Sequence, residues 1–152
     1  MKSIIESKHK TMIGNTVTKT KEYKCTIKEL WYALTNPEAL KDWFFEVKGF
    51  ELVQGDVFEF YAGKYLHECE IKDIFLFHKL IFSWRYPVYP GESTVTFILN
   101  PINDGEKTQL ELIHDGIATF PANDPYFSYA SFEAGWEEVL EIALREYVEY
   151  KE

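Results

Sequence analysis

From Val57 onward the chain alternates apolar and polar residues with a period of two, through five separate runs. In GDVFEFYAGK, Phe58 and Phe60 bracket Glu59. In YLHECEIKDIF, Tyr65, His67, Cys69 and Ile71 share one parity, and Glu68, Glu70 and Lys72 take the other. KLIFSWRY sets Leu80, Phe82, Trp84 and Tyr86 on one side. STVTFILN does so with Val95, Phe97 and Leu99, and KTQLELIH with Leu110, Leu112 and His114. Successive side chains of a strand point to opposite faces, so each run predicts a strand with one buried and one wet face, as in an antiparallel sheet. Pro87, Pro90 and Gly91 in YPVYPGES, and Asp104-Gly105 in NPINDGEK, mark turns between them. An earlier alternating run, Thr16 to Lys24, predicts a first strand.

Other stretches follow a helical period. Thr26 with Glu29 three residues on fits a capping box, and Ile27, Leu30, Trp31 and Leu34 then fall on one face. A second short helix restarts at once: Asn36 can cap, Pro37 suits the first helical position, and Glu38 favours the positive end of the dipole. The chain closes on SYASFEAGWEEVLEIALREYVEY, Ser128 to Tyr150, which predicts one long helix. At about 100° per residue, Phe132, Trp136, Val139, Leu140, Ala143, Tyr147 and Tyr150 form one stripe. Glu137, Glu138, Glu141, Arg145 and Glu149 form the opposite face. The order is strand, two short helices, five strands and a long helix. That predicts an α+β fold, with helices segregated to one side of an antiparallel sheet.

A long helix cannot lie flush on a strongly twisted sheet along its whole length, so a gap is expected where the sheet curls away. Gly135, beside Trp136, would allow a close approach at that level. Two outcomes stay open: rings that line a cavity, or rings that interdigitate as a solid core. The aromatic share, 17% from 12 Phe, 10 Tyr and 4 Trp, suits either.

Composition narrows the functional classes. A length of 152 residues with 46% hydrophobic residues suits a single domain with a real core, and residues 1–14 read as an N-terminal extension or flexible start. Net charge is −9, from 16 Lys plus Arg against 25 Asp plus Glu. That argues against nucleic-acid and anionic-membrane partners. MKSIIESKHKTMIG lacks the apolar run of a signal peptide, and no segment is long enough to span a bilayer, so a cytoplasmic protein is expected. Cys25 and Cys69 are too few for a disulfide framework and lack metal-ligand spacing, so reduced thiols and no cofactor are expected.

The candidate chemistry is sparse. His67 and His114 sit at inward positions of two strands. Either could hydrogen-bond a ligand or act as an acid–base group, or simply be satisfied by a neighbouring carbonyl or hydroxyl. His67 and Cys69 face the same way, which permits a nucleophile pair, though a buried thiol commonly serves as a small hydrophobe. No nucleophile elbow, phosphate loop or His-Glu-x-x-His motif is present. Glu68 and Glu70 should face solvent, as should Arg85. Trp43, Phe44 and Phe45 cannot all point inward, so at least one is expected at a cavity mouth.

Taken in order, ELWYALTNPEALKDWF, VQGDVFEF, HKLIFSW, TQLELIHDG and GWEEVLEIAL resemble the activator of Hsp90 ATPase homologue family, within the SRPBCC or START-like superfamily. The resemblance runs from about Thr16 to Tyr150. It implies the helix-grip fold of the birch pollen allergen, a seven-stranded antiparallel sheet gripping the last helix, with EVKGFEL, near Glu46 to Leu52, as the seventh strand. Family members that stimulate the chaperone carry a further N-terminal domain for which this sequence shows no room. It is therefore similar to the stand-alone members. The expected role is binding of an apolar or aromatic small molecule between sheet and helix. The expected lining is Trp43, Phe58, Phe60, His67, Cys69, Phe82, Trp84, Phe97, His114, Trp136 and Leu140. Two other readings stay open: a cyclase or hydrolase acting on a polyketide-like substrate, and a chaperone-associated module using the acidic helix face. Either a monomer or a homodimer fits.

Overall fold

A computed structural model describes residues 14–150; the expected N-terminal extension, but for Gly14, lies outside that range. Six strands form one antiparallel sheet: β1 (Thr16–Tyr23), β2 (Val57–Ala62), β3 (Tyr65–Phe75), β4 (Lys79–Trp84), β5 (Ser93–Ile102) and β6 (Lys107–Asp115). Their spatial order is β1-β6-β5-β4-β3-β2. The first strand thus crosses to pair with the last, and β1 and β2 become the two edges. The alternating parity holds: Phe58, Phe60, His67, Cys69, Ile71, Leu80, Phe82, Trp84, Val95, Phe97, Leu99, Leu110, Leu112 and His114 are all buried. Glu68 and Arg85 lie on the other face and pair at 2.6 Å. The seventh strand does not form. Lys48 makes a single bridge to Glu59 of β2, because Gly49 turns the chain away with a positive φ of 82°.

The two short helices form as their caps dictate. In α1 (Ile27–Thr35) Thr26 accepts from the Glu29 amide at 3.2 Å and Glu29 accepts from the Thr26 amide at 2.8 Å. In α2 (Pro37–Trp43) Asn36 accepts from the amides of Glu38 and Ala39. The Trp43 indole donates to the Ala33 carbonyl at 2.8 Å and ties α2 back to α1.

The C-terminal helix is continuous but not uniform. It runs as α3 (Tyr129–Glu138), a π-helical segment (Val139–Leu144) and α4 (Arg145–Glu149). Its buried residues are Phe132, Trp136, Leu140, Leu144 and Val148, at a constant spacing of four. At 3.6 residues per turn each step of four overshoots by about 40°, so an all-α helix would carry this row around to solvent. The wider π turns fall short by a similar amount and bring it back. This corrects the expected stripe: Ala143 and Tyr147 are half-buried and Tyr150 is 70% exposed, while Leu144 and Val148 take their places.

One residue further along lies a second row of fours: Glu133, Glu137, Glu141, Arg145 and Glu149. It faces the inward lysines of edge strand β1. Lys19 pairs with Glu133 and Glu137, and Lys21 pairs with Glu137 and Glu141. Glu149 accepts from Arg145 and from the Lys24 amide. Tyr23 donates to the Leu140 carbonyl at 2.8 Å within the π segment. The helix is therefore lashed to the β1 side of the sheet. A curved sheet gripped at one edge leaves its helix standing off from the other, and the gap falls over β2, β3 and β4. A register shift on β3 between Ile71 and Asp73 adds twist in that region.

Candidate functional site

The gap is a cavity of about 190 Å³. Phe60 and Ala62 of β2, His67 of β3, Trp84 at the end of β4 and Tyr86 just beyond it form its floor. Ser131, Phe132, Gly135, Trp136 and Val139 of the helix form its roof, and Phe44, Phe45 and Tyr126 close its sides. Gly135 is solvent-exposed, so the cavity opens at its level. A Cβ placed there would meet no atom within 4 Å. Gly135 therefore accommodates no packed neighbour, and its missing side chain leaves the mouth clear. A second void of about 30 Å³ lies deeper, beside Leu34, Leu40, Val47, Phe50 and Leu80. The two share Phe44, Phe60, Trp84 and Trp136 as a common wall. The deep void is lined by apolar side chains and offers water no partners, so it stays dry.

Two polar chains run behind the rings. In the first, the Trp136 indole donates to His114 Nδ1 at 2.9 Å. An indole can only donate, so Nδ1 carries no proton and Nε2–H donates to Ser93 Oγ at 2.7 Å. Ser93 in turn donates to the Trp84 carbonyl at 3.3 Å. His114 is fully buried, and burial, with a smaller contribution from His67, pushes its pKa down to about 3. It is a neutral structural group.

The second chain reaches the cavity. His67 Nδ1 lies 3.0 Å from the Tyr65 carbonyl. A carbonyl can only accept, so the proton sits on Nδ1 and Nε2 is left as an acceptor. It faces the Tyr126 hydroxyl at 3.3 Å. Burial lowers the His67 pKa to about 4, partly opposed by the carbonyls of Tyr65 and Phe60. Beside Tyr126 stands Tyr86, with ring centroids 5.9 Å apart, and the Tyr86 oxygen accepts from the Trp84 indole at 2.9 Å. Burial raises the pKa of both tyrosines, so both stay protonated at neutral pH. Stacking fixes the pair: His67 lies on Phe60 at 4.4 Å, and Tyr126 on Tyr65 at 3.6 Å.

Of the residues expected on the wall, Phe60, His67, Trp84 and Trp136 line the main cavity, and Trp43, Phe58, Phe82 and Phe97 line the deep void. Three expected residues are on neither wall. Cys69 is paired with Phe58 and fully buried, and its side chain is too short to emerge between the rings around it; burial also raises its pKa. His114 is covered by Trp136. Leu140 lies one turn beyond Trp136, in the packed region beside Tyr23. Phe44 and Phe45 do border the cavity, as expected of the WFF run. Tyr126 was not foreseen. It sits in a single 3-10 turn, Pro125–Phe127, capped by Asp124, where no period marks a side chain as inward. Among the described residues, no three His, Cys, Asp or Glu side chains converge as metal ligands would. Nor is any helix long and apolar enough to cross a membrane.

The family model for activator of Hsp90 ATPase homolog 1-like protein matches residues 24–149. No curated protein matches the sequence. Among solved structures, protein MLL2253 from Mesorhizobium loti is similar with a TM-score of 0.75 at 24% identity, over 90% of this chain and 98% of that one. DynU16, from the dynemicin biosynthetic locus, is similar with a TM-score of 0.73 at 20% identity, over 88% of this chain. This chain spans only 46% of DynU16. CalU16 from Micromonospora echinospora is similar with a TM-score of 0.69 at 26% identity, over 88% of this chain and 75% of that one.

Proposed function

This chain belongs to the activator of Hsp90 ATPase homolog 1-like family, and on that premise we propose that it is a cytoplasmic helix-grip protein that binds an apolar or aromatic small molecule between sheet and helix. One observation carries the reading: an open cavity of about 190 Å³, walled mainly by rings, where the helix stands off from the sheet. An apolar cavity of about 150 Å³ is enough to hold benzene, so a molecule of one or two rings fits here. No Lys, Arg, Asp or Glu lines the wall. A charged ligand would be buried unpaired, which favours a neutral one. DynU16 supports a link to small-molecule biosynthesis only through its fold.

The test is native mass spectrometry of protein purified from its source, together with titration by an apolar fluorescent dye. Gly135→Leu places a side chain at the mouth, where its Cβ meets nothing within 4 Å. It should abolish dye uptake while leaving the fold intact. Equal uptake by both proteins would place binding elsewhere.

The Tyr126–His67 pair favours a second reading, general acid–base catalysis on the bound molecule, with neutral His67 as the base. Turnover of a retained ligand by wild type, lost in His67→Phe, would select it.

A further inference from the structure

The polar corner of the cavity specifies more than a neutral ring. His67 Nε2 is an obligate acceptor, because Nδ1–H is committed to the Tyr65 carbonyl. Its donor, Tyr126, stands 3.3 Å away, longer than the 2.5–3.0 Å usual when a hydroxyl donates to oxygen and just past the 2.7–3.2 Å of N–H···O bonds. Tyr126 is half-buried and belongs to a three-residue turn rather than a strand or the long helix. The bond is long, it faces the cavity, and one partner sits on a loop.

Resting on the reading that the cavity holds a small molecule, we propose that the ligand is a neutral one- or two-ring aromatic bearing a hydroxyl, which inserts between Tyr126 Oη and His67 Nε2. A hydroxyl both donates and accepts. It can give its proton to Nε2 and take the proton of Tyr126, so both protein groups remain paired. A carbonyl or ether in the same place accepts from Tyr126 but leaves Nε2 facing a second lone pair. A ring N–H donates to Nε2 but leaves the Tyr126 proton without an acceptor. A buried group left unpaired costs more than a hydrogen bond contributes, so the corner discriminates against both. The other interior side-chain donors offer nothing to compensate. The indoles of Trp84 and Trp136 are spent on Tyr86 and His114, and the Tyr86 oxygen is occupied by the Trp84 indole. Ser131 can serve either role, but it is half-exposed at the mouth, where water competes.

Isothermal titration of the whole protein with 2-naphthol and with 2-fluoronaphthalene tests this. The two probes are nearly equal in size, and the fluoro compound is the more apolar. We expect 2-naphthol to bind about fivefold tighter or better, the value of one net hydrogen bond. His67→Phe, checked for folding by its unfolding transition, should erase the preference. Tyr126→Phe leaves Nε2 open and should keep it. Equal binding of the two probes by wild type would overturn the hydroxyl assignment and leave the cavity reading standing. Binding of neither would overturn both.

Discussion

Replacing Trp136 with Phe separates the ring from its hydrogen bond. The Phe ring still fills most of the indole's place between the two voids, but the Nε1–H that reaches His114 Nδ1 at 2.9 Å is gone. His114 is fully buried and its other nitrogen is already committed to Ser93. Nδ1 therefore becomes a buried acceptor without a donor, at a cost of about 1–3 kcal/mol. The lost five-membered ring adds about 1 kcal/mol of missing burial, kept small because part of that ring already borders empty space. The expected loss is about 2–4 kcal/mol, a large share of the 5–15 kcal/mol typical of a domain. Urea unfolding at pH 7 should show a lower midpoint with an unchanged slope. Trp84→Phe is the matched control. That indole borders the same two voids, but its acceptor is the Tyr86 hydroxyl, which can rotate and still donate, rather than a fixed ring nitrogen. Its loss should be clearly smaller. A Trp136→Phe loss below about 0.5 kcal/mol, or equal losses for the two variants, would refute the assignment of His114 as an acceptor held by the indole.

Burial keeps His67 and His114 neutral in the fold, with pKa values near 4 and 3, whereas the unfolded chain takes up those protons near pH 6.5. The unfolded state thus binds more protons below about pH 6.5. Stability present above that value should fall as pH is lowered through 4 toward 3, and urea midpoints flat from pH 7 to 4 would contradict this. Gly135→Ala should raise stability by about 0.5–1 kcal/mol, since the new Cβ meets nothing and the helix gains propensity; a loss in the same urea assay would mean that the mouth is packed. Tyr23→Phe should cost about 1 kcal/mol by freeing the Leu140 carbonyl. If stability were unchanged, the hydroxyl would not be supporting the π segment.

The parity of the strands and the two short helices were legible because each depends on local pattern: a period of two, a capping box at Thr26, and Asn36 followed by Pro37. The seventh strand was not, because Gly49 breaks the pairing after one bridge, and a glycine's choice of positive φ is set by tertiary context. The helix stripe was read correctly as far as Trp136 and Leu140. It failed beyond them because a fixed 100° per residue cannot register a change of helix type. For the site, inward parity found His67 and Trp84 but could not rank depth, so Cys69 and His114 were counted with the wall. Tyr126 was invisible for the opposite reason: its position comes from stacking on Tyr65, between residues 61 positions apart.

The π segment contains about one residue more than an α-helix of the same rise would use. Winding the same residues as an uninterrupted α-helix would rotate everything downstream by about 100°. Leu144 and Val148 would leave the core, and Arg145 and Glu149 would leave β1. The half of the helix above Leu140, which roofs the cavity, would keep its phase. The extra residue works as a phase adjuster between two docking jobs on one rod. It lets the roof be set for a ligand while the tail stays set for the scaffold, so changes in Ser131, Gly135 or Val139 can retune the cavity without re-registering the helix on the sheet.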